Sequence, residues 1–160
     1  MKDSSALFDT LGDLRAQEII NTHNAIVRQQ VARQKGFVVK SMGDGFMLAF
    51  SSARRAVLCA IAMQRAFAAY SEQHRETPIQ VRMGLHVGEP INVSDDLYGK
   101  PVIVAARIAA LAQAREILVS STLRDLTESA GDLRFNDAGT VELKGLSGTH
   151  HLHRVIWSNG

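Results

Sequence analysis

Val38-Val39-Lys40-Ser41-Met42-Gly43-Asp44-Gly45-Phe46-Met47-Leu48-Ala49-Phe50 is the stretch that decides the fold. Two apolar runs rich in β-branched and aromatic residues flank a Gly-Asp-Gly turn, which predicts a two-stranded hairpin. Lys40 interrupts the first run. A lysine inside a strand either faces solvent at an edge or has a partner. Asp44 sits at the tip. Most Asp-Gly tips are turns and nothing more, chosen because those residues tolerate positive φ. A carboxylate projecting there also suits Mg²⁺, which takes one or two protein carboxylates plus substrate phosphates.

The flanking sequence supplies the rest of a small α+β fold. Ser4 or Ser5 caps a short helix to Leu11, and a long helix restarts at Gly12-Asp13 and ends near Gly36. Within it Leu14, Ile19, Ile20, Ile26, Val27 and Val31 recur at three- and four-residue spacings. Ser51 and Ser52 cap a second long helix, with a stripe of Ala56, Ala60, Met63, Phe67 and Tyr70. Residues 79–85 alternate as a strand, 92–100 form a polar loop, and 102–114 an Ala-rich helix. A strand at 117–120 and a short helix at 121–129 follow. The tail alternates at 133–135, 140–143 and 152–157, with Gly145 and Gly148 marking a last hairpin. Two long helices packed on one antiparallel-containing sheet make an α+β sandwich.

Composition narrows the function classes. At 160 residues, 46% of them hydrophobic and 21% charged, the chain suits one globular domain, 1–160. The net charge of +2 is too balanced for a phosphate-tracking surface, and the 6% of aromatic residues fall mostly at core spacings. No nucleic-acid partner is expected. Cys59 is the single cysteine and forms no internal disulfide. With no apolar run near the roughly 20 residues that span a bilayer, and no signal-peptide pattern, the expectation is a cytoplasmic domain that needs no membrane.

Four charged positions stand out. Besides Lys40 and Asp44, Asp96 lies in the loop before the Ala-rich helix, where a carboxylate commonly complements the helix dipole. Arg107 interrupts the apolar face of Val102, Ile103, Ala106 and Ala110. Such an arginine either snorkels or meets an anion. Together these charges suit a nucleoside triphosphate better than a neutral ligand. His86 follows a strand, and His150, His151 and His153 share one strand, where a zinc site lacks a second anchoring element. A surface hairpin is the simpler reading. Walker-type loops, G-x-S-x-G and C-x-x-C are absent.

Residues 38–46, Val81-Arg82-Met83-Gly84-Leu85-His86-Val87-Gly88-Glu89-Pro90, Asp96-Leu97-Tyr98-Gly99 and Val104-Ala105-Ala106-Arg107-Ile108-Ala109 resemble, in order, the class III adenylate/guanylate cyclase catalytic domain. The likeness runs from about Ser4 to Trp157 and is greatest to the bacterial single-domain branch. It implies a ferredoxin-like βαββαβ core of the nucleotide cyclase type with a C-terminal β-rich extension. It also implies a head-to-tail homodimer with active sites at the subunit interface. The implied reaction is attack of the ribose 3′-oxygen of ATP on its own α-phosphate, giving cyclic AMP and pyrophosphate with two Mg²⁺ or Mn²⁺ ions.

The same resemblance assigns roles. Asp44 matches the second of two metal-binding aspartates. Lys40 and Asp96 match a purine-selecting pair that serves the partner's site. The lysine donates to adenine N1 and the aspartate accepts from the 6-amino group, while guanine presents the opposite pattern at both atoms. Arg107 matches the cation that steadies charge developing on the α-phosphate, and Lys144 a triphosphate-binding lysine. Two departures matter. The family's first core strand, which carries the first metal aspartate, precedes the position matching Met1 and is missing from these 160 residues. Ile103 stands where relatives carry an asparagine. The chain as given is therefore expected to be weak or inactive. The alternative is a silent pseudo-cyclase that binds nucleotide or dimerises for regulation.

Overall fold

Helix α1 (Ser4–Leu11) leads through Gly12, at φ +80°, into α2 (Asp13–Arg33), and the hairpin β1 (Phe37–Met42) and β2 (Gly45–Ala49) follows. Helix α3 (Ala53–Gln73) starts where the Ser52 hydroxyl accepts the Arg55 N–H at 3.2 Å. The computed structural model describes residues 4–43 and 45–159. Strand β3 (Met83–Leu85), a small hairpin of β4 (Ile91–Val93) and β5 (Asp96–Tyr98), and α4 (Lys100–Leu111) come next. Then follow β6 (Ile117–Ser120), α5 (Ser121–Thr127), a single 3₁₀ turn, β7 (Phe135–Glu142) and β8 (Thr149–Val155).

The α+β class holds, but the strands form three ladders and not one sheet. These are β1-β2, β4-β5 and the mixed sheet β3-β6-β8-β7, in which β3 runs parallel to β6 and the other pairs are antiparallel. Both β2 and β3 pack on the core beneath α2 and α3 through Phe46, Leu48, Met83 and Leu85. Each has an edge with no ladder partner among the described residues, so no hydrogen bonds join the hairpin to the mixed sheet. The strand expected over 79–85 shortens for a related reason. Ile79 and Val81 are buried, yet the Val81 carbonyl accepts from Gln64 Nε2 and the Arg115 N–H, and the β6 ladder begins only at Met83.

The tail also differs from its three short segments, forming one long β7–β8 hairpin with a register shift between Asp137 and Thr140. The core has two parts. A large one gathers Ile19, Val27, Val57, Met63, Phe67, Ile117 and Val119, and a smaller one Val104, Ile108, Leu118, Leu143 and Leu152 under α4. Cys59 is fully buried, and burial pushes its thiol up to about 11, so it is an inert packing group.

Candidate active site

The placement of Lys40 follows from one irregularity in β1. Val38 pairs with Leu48 and Lys40 with Met47, so Val39 is an extra residue on the β1 side, a β-bulge. Side chains alternate along a strand, and without the bulge Lys40 would share the face of Val38, which packs on the core. The bulge shifts the alternation. Lys40 now shares the face of Met47, away from the core.

There it meets Asp96. Residues 92–100 are not a plain polar loop but hold the β4–β5 hairpin, whose tip residues Ser94 and Asp95 take φ of +49° and +63°. The Lys40 ammonium donates to Asp96 Oδ2 at 3.0 Å, and Oδ1 accepts the Leu97 N–H at 2.8 Å. Lys40 and Asp96 side chains are 41% and 24% exposed, so the pair is open to solvent. The Lys40 hydrogen bond, followed by that of the Leu97 N–H, holds the Asp96 carboxyl below its ordinary value. Lys40 also lies 5.9 Å from the ring centroid of Tyr98. Sequence reasoning passed over Tyr98. The period-2 spacing Asp96-Leu97-Tyr98 was the available signal, hidden while the segment read as loop.

Helix α4 presents the next residues. Its Val104 and Ile108 are buried, which leaves Ile103, Ala106, Arg107 and Ala110 on the outer face. Arg107 is exposed there, and Ile103, one turn before it, is 47% exposed. Two glycines set how closely the helix sits. A Cβ on Gly84 would lie 2.2 Å from the Ala109 nitrogen, and one on Gly88 would lie 2.6 Å from Pro101 Cγ. Lys144 follows Leu143, which belongs to the same buried cluster as Val104 and Ile108, and is itself exposed. Lys40, Asp96, Arg107 and Lys144 thus come from β1, β5, the helix that β5 leads into, and the β7–β8 turn that packs under that helix. The structure joins Lys40 to Asp96 directly. No hydrogen bond or ion pair among the described residues ties Arg107 or Lys144 to that pair.

Asp44 lies outside the described residues. Among the described residues no three His, Cys, Asp or Glu side chains gather where an ion would sit, so the full donor set for two divalent ions is not assembled by them.

The histidines depart from the surface-hairpin reading. His153 is buried, and its Nε2 donates to Ser121 Oγ at 3.2 Å, while that hydroxyl donates to the His151 carbonyl at 2.8 Å. His151 Nε2 lies 2.7 Å from Asp137 Oδ2. His86 Nδ1 lies 2.7 Å from Ser120 Oγ, the hydroxyl that caps α5. Burial lowers both His86 and His153 below the usual histidine value, with His150 adding to the effect on His86.

Comparison with known proteins agrees with the resemblance in kind. A family model described as "Adenylate and Guanylate cyclase catalytic domain" matches residues 2–156. A putative adenylate cyclase 3 of Rhizobium meliloti is 34% identical over 134 residues, which is 83% of this chain but 22% of that protein's own length. Among solved structures, an adenylate/guanylate cyclase/hydrolase from Silicibacter pomeroyi is 26% identical, with a TM-score of 0.80 over 88% of this chain and 84% of that one. The adenylyl cyclase CyaB from P. aeruginosa shares the fold, with a TM-score of 0.84 at 21% identity, over 99% of this chain and 90% of that one.

Proposed function

The chain belongs to the adenylate and guanylate cyclase catalytic domain family, and from that premise we propose that it is a single adenylate cyclase domain that converts ATP to cyclic AMP and pyrophosphate at a homodimer interface. The observation that carries the choice of ATP is the Lys40–Asp96 pair. A donor and an acceptor stand 3.0 Å apart, the pattern that complements the N1 acceptor and 6-amino donor on the edge of adenine. Lys40 uses one of its N–H groups on Asp96 and keeps others for N1. Asp96 keeps lone pairs for the 6-amino group. Guanine would set donor against donor and acceptor against acceptor, so it is rejected.

Arg107 serves the α-phosphate, where a fixed guanidinium lowers the energy of charge that grows in the transition state. Lys144 takes the outgoing phosphates as a mobile point charge. Asp44 is the carboxylate assigned to Mg²⁺ or Mn²⁺. Such ions, when bound, activate the 3′-oxygen and neutralise the leaving pyrophosphate. Exposed Ile91, Val93 and Tyr98 on the β4–β5 hairpin, with Ile103 and Leu111 on α4, border the charged residues with apolar surface that a second copy would cover. Lys40 and Asp44, four residues apart, then serve two different sites of the dimer. We infer a cytoplasmic domain from the supply of ATP there; among the described residues no helix is long and apolar enough to cross a membrane.

A second reading has one observation in its favour. Ile103, one turn from Arg107 on the same outer face, offers no hydrogen bond to a substrate. It favours weak turnover, or a silent domain that binds nucleotide and dimerises without chemistry. Assaying the chain with an upstream strand ending in aspartate added to it, with Mn²⁺ and either ATP or GTP, separates the readings. Cyclic AMP above the level of an Asp44→Ala variant supports the enzyme, and nucleotide binding with no product supports the silent domain. Cyclic GMP formed at least as fast as cyclic AMP sinks the assignment to ATP.

A further inference from the structure

Resting on that reading of Lys40 and Asp96, we propose that Tyr98 is the positioning residue of the base-reading pair and a determinant of purine choice. An ion pair as open to water as this one contributes little by itself and leaves a long lysine side chain free to wander. The two partners also sit on separate two-stranded ladders, β1-β2 and β4-β5, with no backbone hydrogen bonds between them among the described residues. Something further must hold their spacing.

Tyr98 is placed to do so. It lies two residues after Asp96 on β5, so both side chains leave the same face of the hairpin. Its ring stands 5.9 Å from the Lys40 ammonium, within cation–π range. On that shared face Tyr98 is also one of the groups that hold the Asp96 carboxyl below its ordinary value, after Lys40 and the Leu97 N–H. One side chain therefore bears on both members of the pair, the lysine through its ring and the aspartate from the same face of β5. With 51% of its surface exposed, Tyr98 is not a core residue, and its replacement leaves the fold in place.

Calorimetry on the full 160-residue chain with non-hydrolysable ATP and GTP analogues tests this. Tyr98→Leu is expected to weaken the ATP analogue about fivefold, as the ring that steadies Lys40 is lost, and to leave the GTP analogue nearly unchanged. Tyr98→Phe keeps the ring and is expected to lose part of that, with the Asp96 carboxyl pKa rising when followed by NMR. An unchanged ATP-to-GTP ratio in Tyr98→Leu overturns the role of Tyr98. The Lys40→Ala variant separates the two layers. Loss of adenine preference there but not in Tyr98→Leu removes only Tyr98. Absence of adenine preference in the unaltered chain removes the reading beneath and the Tyr98 role with it.

Discussion

Lys40 and Asp96 are 56 positions apart in the chain and 3.0 Å apart in the fold. They meet because a bulge at Val39 turns the lysine off the core face and a short hairpin carries the aspartate toward it. The pair is formed in the chain without any ligand, so on the proposed reading its recognition geometry is preorganised.

Reversing the chemistry of the pair should reverse or erase the preference. Asp96→Asn replaces an acceptor-only group by one that also donates. Steady-state kinetics with both nucleotides should show KM for ATP rising about tenfold or more, with kcat changing less, and the gap to GTP narrowing.

Arg107 is assigned to charge that develops during the reaction, so Arg107→Ala should act mainly on kcat. The expected loss is on the order of 10²–10³-fold with KM nearly constant. A matching rise in KM would instead make it a ground-state binding residue.

Ile103→Asn restores a hydrogen-bonding group one turn from Arg107 on an exposed helix face, where the change is tolerated. Product formation should rise, by up to about 10²-fold if one missing donor limits the rate. A variant with no more activity than its parent would favour the silent-domain reading.

Gly84 is where α4 rests on β3. Gly84→Ala drives a Cβ to within 2.2 Å of the Ala109 backbone nitrogen, which yields only if the whole helix moves. Overpacking of this kind costs about 1–3 kcal/mol, and because Arg107 rides on the same helix, activity should fall together with the midpoint of thermal unfolding.

Acid should weaken the fold around β6 and β8. His86 and His153 have folded-state pKa values lowered by burial, so the folded state takes up protons less readily than the unfolded chain. Stability from this source is constant above the unfolded histidine value, about pH 6.5, and falls as the pH drops below it. Urea midpoints measured between pH 7.5 and 5 should decline, and His86→Asn should flatten part of that decline.

Much of this was legible in the sequence. Periodicity located α2 and α3, the Gly-Asp-Gly tip located the β1–β2 hairpin, and the four motifs supplied the cyclase fold. Other features were not. The β4–β5 hairpin was hidden because its tip, Ser94-Asp95, lacks the glycine that signals a tight turn, although both residues adopt positive φ. The bulge at Val39 left no compositional trace, so Lys40 read as an interruption and not as a residue turned on purpose. Burial of His153 depends on α5 folding back over β8, a contact between distant segments that no local pattern encodes.

The most direct test of the account is the equilibrium affinity of the chain for non-hydrolysable ATP and GTP analogues, measured before and after Lys40→Ala. The account predicts tighter binding of the adenine nucleotide in the original chain and loss of that preference in the variant. Equal affinities at the outset, or a preference that survives removal of Lys40, would contradict it.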